Sequence, residues 1–285
     1  MKHKSGLGRL LRAWSSGESL EGQFLTMLDA SIQASSPPRT PSRFYKPSSL
    51  TKCLRRSYYE REGATIDVAP ANAELIGLGQ SGTARHSQLQ EDIKRIEKLG
   101  MPCRWVTVRE YLLKHPQPDV KIEREFGNET RLGQTALDLH LMVDGILELK
   151  GQLVLLELKT ETSHKWNVRM MPDPTHMLQA AAYSLVLGLT RVLFVYENRD
   201  TCKRKAFLVD ITEEQRQGIK RHIQSVEAYR LRHALPPRVL TECTYCPYTS
   251  ICTRAGDTPD VPLEVLLGDE RPSEESAGGS PGEEV

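Results

Sequence analysis

Strand-like patterning occupies 119–126, 135–149 and 152–160, and the last two runs are separated only by Lys150-Gly151. "PTHMLQAAAYSLVLG" is apolar on nearly every face and predicts a buried helix stopped by Gly188. "RVLFVYEN" and "KRKAFLVD" predict two further strands, and a polar helix is expected from about Thr212 to His233. Ahead of the strands, "SSLTKCLRRSYYEREG" reads as a helix with Ser49 as its cap. A helix of mixed surface follows from about Gly79 to Leu99 and ends at Gly100. The order helix, three strands, helix, strand predicts one α/β domain around a mixed central sheet. "ASSPPRTPSRFYKPSS" (34–49) reads as an extended linker, with a short amphipathic helix expected in the first thirty residues. From about Gly268 the chain is rich in Ser, Gly and Glu, and disorder is expected there. The expected division is an N-terminal segment and linker over 1–44, a domain over 45–256 and an acidic tail over 257–285.

Composition narrows this picture without overturning it. With 39% hydrophobic and 26% charged residues among 285, the chain is an ordinary globular protein of one or two domains. Its longest apolar run, about ten residues from Ala180 to Leu189, falls short of the roughly 18–20 needed to span a membrane. The basic N-terminus lacks a signal-like apolar core, so a cytoplasmic location is expected, the host's cytoplasm if the gene is viral. The net charge of +1 conceals an asymmetry: nine acids and one base, Arg271, lie from Asp257 onward. Without that tail, 37 Lys+Arg face 28 Asp+Glu, a net of +9. Such a body suits a polyanion, although many solvated surfaces are equally basic.

The central hairpin carries the first chemistry. With Lys150-Gly151 as the turn, Leu149 faces Gln152, and counting back along both strands sets Asp144 opposite Glu157. Directly opposed side chains stand about 4.5–5.5 Å apart at Cβ, where like charges destabilise. Alternation puts Lys159 on the face of Glu157, with Leu156 and Leu158 on the other. Two carboxylates beside an ammonium suit Mg²⁺ or Mn²⁺, which take oxygen ligands and leave room for water and phosphate. A surface salt bridge across a hairpin accounts for the same residues equally well, and a one-residue slip would turn Asp144 away.

Two helical pairs add to this. "GTARHSQLQ" places His86 and Gln90 one turn apart on the helix before the sheet, and "MLQAAAYSL" does the same for Gln179 and Tyr183 after it. Each has an ordinary explanation, a satisfied histidine or a glutamine bonded to backbone. Taken in order, however, His86, Asp144 in "MVDGIL", Glu157 and Lys159 in "LLELKT", and Gln179 with Tyr183 resemble the RecB-like branch of the PD-(D/E)XK nucleases over roughly residues 45–255. The superfamily's usual Pro-Asp pair stands here as Val143-Asp144, its first letter lost, as is frequent in this branch. The resemblance implies a restriction-endonuclease-like core and a divalent-metal-dependent DNA nuclease. It implies His86, Asp144, Glu157 and the Leu158 carbonyl as metal ligands, Lys159 as the catalytic lysine, and Gln179 and Tyr183 as supports of the site and the DNA strand.

Cys243, Cys246 and Cys252 stand at C-x2-C-x5-C in "CTYCPYTSIC", and Cys53 is the candidate fourth ligand. Four thiolates suit zinc or an iron–sulfur cluster, and spacing alone leans to zinc. The layout of one cysteine upstream and three downstream resembles the CRISPR-associated and AddB-type nucleases, which implies a [4Fe–4S] cluster joining the two ends of the domain. Closing a loop of about 200 residues would offset a large entropy cost. Cys103 and Cys202 read as ordinary thiols. Arg55 and Arg56, beside Cys53, and Lys203, Arg204 and Lys205, beside Cys202, suit phosphate contacts or a solvated basic surface alike.

The expectation is a DNA exonuclease acting on single strands or free ends, in recombination, repair or phage- and CRISPR-related processing. A structure-specific endonuclease of the same superfamily is one alternative. A non-catalytic nucleic-acid-binding protein with a structural zinc is another.

Overall fold

In the computed structural model, the described residues are 19–35, 40–67, 72–239, 243 and 246–267. Two helices, α1 (Leu20–Ser35) and α2 (Leu54–Glu62), precede the long α3 (Ala73–Lys98). Then come β1 (Cys103–Val106), α4 (Val108–Lys114), β2 (Val120–Phe126), β3 (Glu129–Gln134), β4 (Leu139–Val143), β5 (Gly145–Leu149) and β6 (Gln152–Glu161). The remainder is α5 (Ser163–Val168), α6 (Pro174–Leu187), β7 (Arg191–Asn198), β8 (Arg204–Asp210), α7 (Glu213–Leu231), α8 (Thr249–Ala255) and α9 (Leu263–Leu267).

The expected mixed sheet is present, in the order β1-β5-β6-β7-β8. Only β6 and β7 run parallel, because α5 and α6 carry the chain back between them. A second sheet, β2-β3-β4, is wholly antiparallel. Helix α6 buries Ala180, Ala181, Ala182, Val186 and Leu187 against Ile146, Leu155 and Phe194 on one face of the mixed sheet. Leu89 of α3 packs with Leu147, Leu156 and Leu158 on the other. Leucines 156 and 158 thus point away from the face of Glu157, as period 2 requires. None of the described helices is long and apolar enough to cross a membrane.

Several expected boundaries move. The run expected as one strand over 135–149 is a short 3₁₀ turn and two strands that break at Asp144, where the chain leaves the small sheet for the large one. Helix α3 starts at Ala73, capped by the Asn72 side chain, rather than near Gly79. Ser49 does not cap α2; its hydroxyl turns back to the Lys46 carbonyl, and Cys53 occupies the N-cap. The tail expected from Asp257 begins later, since Val261, Leu263 and Leu266 pack on α7 through Ala228 and Tyr229. Residues 1–18 of the expected N-terminal segment, 36–39 of the linker and 268–285 of the tail lie outside the described residues.

Candidate active site

Lys150 and Gly151 both adopt positive φ, 49° and 79°, as a two-residue hairpin turn requires. The ladder then pairs Leu149 with Gln152 and Gly145 with Leu156, so Asp144 is next in line with Glu157. Gly145 belongs there because a Cβ would lie 2.5 Å from the Trp105 ring. At the break between sheets, Asp144 is held from two sides. Its carbonyl accepts from Gln90 Nε2 at 2.7 Å, and its Oδ2 accepts from the Leu158 N–H at 2.7 Å.

Glu157 is 2% exposed, and its Oε1 accepts from Lys159 Nζ at 2.5 Å. The same ammonium donates to Gln179 Oε1 at 3.1 Å, tying β6 to α6. Burial, and then the charge of Asp144, push the Glu157 carboxyl well above the usual carboxylate range. Asp144 is likewise raised, chiefly by burial, against the pull of the Leu158 N–H and Lys159. His86 Nδ1 stands 3.9 Å from Asp144 Oδ1, and burial, with Lys159 nearby, lowers its pKa. Tyr183 lies close enough for Glu157, Asp144 and Glu129 to add to the burial that raises its phenol.

One ligand-type side chain went unread in the sequence. Glu129 opens β3, and its carboxylate joins His86 and Asp144 in a group whose donor atoms all lie within 4.8 Å of one another. The signal was Gly127-Asn128, a two-residue hairpin turn that aims Glu129 back along the sheet. Asn128 fixes that turn on α3 by donating to Glu91 Oε1 at 2.7 Å. Two carboxylates and an imidazole form a donor set that fits a divalent cation, with Glu157 beside it on Lys159. Gln90 Oε1 next to them is buried and has no donor among the described residues.

The remaining expected residues fall elsewhere. Arg55 is fully buried and is not a phosphate contact. Its guanidinium donates to the carbonyls of Pro236 (2.7 Å) and Gly256 (2.5 Å) and to Thr258 Oγ1 (2.7 Å), joining α2 to the C-terminal segment. Arg56 pairs with Glu60 one turn on. Lys203 and Arg204 are exposed, Arg204 pairing with Glu197, while Lys205 donates to backbone carbonyls. Cys53, far away in sequence, and Cys243, Cys246 and Cys252 line one cavity of about 90 Å³ together with Arg55, Arg56 and Arg238. Cys103 is buried and Cys202 exposed, both away from that cavity.

Sequence comparison decides the family. The profile of the PD-(D/E)XK nuclease superfamily matches residues 49–253, most of the chain. The chain belongs to the PD-(D/E)XK nuclease superfamily. Asp144, Glu157 and Lys159 all lie within the matched residues. No curated protein matches the sequence. Among solved structures, the chain is similar to SSO0001 at 15% identity, with 82% of this chain and 96% of that chain covered and a TM-score of 0.41. It is also similar to LHK-Exo, an alkaline exonuclease from Laribacter hongkongensis, at 14% identity, 68% and 94% coverage and a TM-score of 0.39. LHK-Exo in complex with dAMP gives 13% identity, 67% and 89% coverage and 0.39.

Proposed function

We propose that this PD-(D/E)XK protein is a divalent-metal-dependent DNA exonuclease of the RecB-like branch, hydrolysing phosphodiester bonds in single strands or at free ends. The observation that carries the reading is the convergence of His86, Glu129 and Asp144 beside the Glu157–Lys159–Gln179 chain. His86, Asp144, Glu129, Glu157 and the Leu158 carbonyl would hold Mg²⁺ or Mn²⁺. When bound, such an ion supplies Lewis acidity toward phosphoryl oxygens and water.

The rest follows from the chain's own groups. Lys159 has three N–H donors, of which Glu157 and Gln179 take two. The third is left for the attacking water or a phosphoryl oxygen, held in place by the other two. Glu157 keeps that ammonium oriented. Tyr183 and Gln90 close the sides of the site. Recombination, repair, and phage or CRISPR-related DNA processing are the settings the RecB-like resemblance suggests.

The four cysteines are assigned to a [4Fe–4S] cluster that fastens the 53 region to the 243–252 region. Their common cavity supports this, and three arginines there offset thiolate charge. Protein purified anaerobically should be brown and hold equal iron and acid-labile sulfide. A colourless protein with one zinc overturns the iron–sulfur assignment and keeps the four-cysteine site.

The enzymatic test uses end-labelled linear DNA, single-stranded and duplex, with Mn²⁺, against Asp144→Ala. Products should appear only with the wild type and should shorten from an end, whereas circular single-stranded DNA stays whole. Cutting of the circle would make the protein an endonuclease, and products from Asp144→Ala would overturn the site.

A further inference from the structure

Between β6, which carries Glu157 and Lys159, and α6, which carries Gln179, the chain makes α5 and a loop over 169–173. Its polar side is anchored inward. Lys205 Nζ donates to the carbonyls of Trp166 (2.8 Å), Arg169 (3.0 Å) and Asn167 (3.5 Å) and lies 4.3 Å from the Trp166 ring centre. Arg169 donates to Glu161 at 2.6 Å and to Asp173 at 3.2 Å, and Ser163 Oγ to Asp200 at 2.6 Å. Its apolar side faces out: Val168, Met170 and Met171 are 71%, 79% and 67% exposed. Single exposed apolar side chains are ordinary, but three among four consecutive residues on a tied-down backbone make a patch.

His176 of α6 stands within electrostatic reach of both the candidate active site and the segment that carries the patch. The fields of Lys159 on one side and of Arg169 and Lys165 on the other add to the burial that lowers its pKa to about 4. The buried hydroxyl of Tyr196 accepts from the Asp173 N–H at 3.0 Å and is hydrogen-bonded to His176 Nδ1, 2.9 Å away. His176 makes this bond through Nδ1, which turns Nε2 to the other edge of the ring. His176, Gln179 and Tyr183, at i, i+3 and i+7, share one face of α6 over about 10 Å of helix rise. A line of polar donors thus leads from the acidic centre to the apolar patch, with exposed Lys165 beside it.

We propose that Val168, Met170 and Met171 form a nucleobase platform: unstacked bases of the DNA strand lie against them while its phosphates pass Lys165 and His176 on the way to Lys159. This rests on the nuclease reading and gives it a substrate class. Bases stacked inside a duplex cannot reach the platform, so single strands and frayed ends are preferred. Thioether and aliphatic groups meet the faces of all four bases alike, so contact there is independent of sequence.

The full-length chain would be titrated in EDTA with a fluorescent oligothymidylate and with an abasic oligomer of the same length and charge. Wild type should bind the intact strand about tenfold tighter than the abasic one. Met170→Ser/Met171→Ser should lose that preference while keeping its affinity for the abasic strand and its thermal midpoint, and Met170→Leu/Met171→Leu should keep the preference. If the serine variant retains the full preference while wild type still cuts DNA with Mn²⁺, the platform is wrong and the patch serves another partner, such as a protein. A wild type that neither binds nor cuts DNA overturns the nuclease reading as well.

Discussion

Two buried carboxylates on neighbouring strands of one sheet, Glu157 on β6 and Glu197 on β7, are treated in opposite ways. Glu197 is met by Arg85 from α3, through both oxygens, and by Arg204 from β8 at 2.7 Å. Burial raises its pKa, but the two guanidiniums outweigh burial and hold the carboxyl below its ordinary range. Glu157 is just as buried, yet it has one ammonium, shared with Gln179, and a second acid beside it, so its pKa goes up. Glu197 resembles a structural ion pair, complete without help from solution. The Asp144–Glu157 pair has one ammonium for two acids, and under the proposed function a cation from outside would complete the balance. Burial alone would not distinguish the two; the charge balance around each does.

The largest expected effects fall on the deficient side. Asp144→Ala, Glu157→Ala and Lys159→Ala should each cost on the order of 10³-fold or more in nuclease rate, because each removes charge or ligand at the phosphate. Gel assays with end-labelled DNA and Mn²⁺ measure this. Glu197→Gln should spare far more of the rate per folded molecule, and a loss there as deep as at Asp144 would erase the distinction.

Stability should move the other way. Glu197→Gln leaves two partly exposed arginines without their acid, at a cost of roughly 2–3 kcal/mol, somewhat below the range for a fully buried pair. Asp144→Asn removes a desolvated charge beside Glu157 and should stabilise the metal-free protein by about 1 kcal/mol. Urea denaturation in EDTA checks both signs.

Much of this contrast could be read in the residues beforehand, and the reason lies in range. The hairpin register followed from a two-residue turn, because such turns fix pairing locally, and the ordered motif put Asp144, Glu157, Lys159 and Gln179 together. Glu197 with Arg85 and Arg204 could not be read, since the three share no local period and meet only through packing of α3 on the sheet. Glu129 was missed because β3 was not recognised behind its Gly-Asn turn. Arg55 was misjudged for a related reason: an arginine beside a cysteine looks like surface charge until the C-terminal segment folds over it.

The pH dependence separates the two carboxylates further. A carboxyl raised in the folded state keeps a proton that the unfolded chain has released, so folding stability falls as pH rises from about 4, the ordinary carboxylate value, to about 7. The Glu197 contribution runs oppositely, present above about 4 and lost in acid. His222, buried against Ser57 and lowered to about 4, also costs stability as pH falls from 6.5 toward 4. Comparing wild type with Asp144→Asn removes these shared terms. The advantage of the variant should be near zero at pH 4 and grow to pH 8. Saturating Mn²⁺ should reverse it, because the ion stabilises only the wild type. An advantage that is flat with pH would mean that the pair is not raised.

The smallest effect, at Gln179, tests the comparison most directly. Gln179 gives Lys159 a neutral acceptor, whereas Glu197 gives its arginines a charged one. Gln179→Ala should leave Lys159 on Glu157 alone and slow cleavage about tenfold through kcat, with KM little changed, since the ammonium is looser but still present. Gln179→Glu is more informative. It places another carboxylate on an already crowded acidic centre, so metal-free stability should fall as pH rises above neutrality while Mn²⁺ affinity increases. Were Gln179→Glu instead to stabilise the metal-free protein at pH 8, Lys159 would have positive charge to spare, and the centre would be an ion pair of the Glu197 kind.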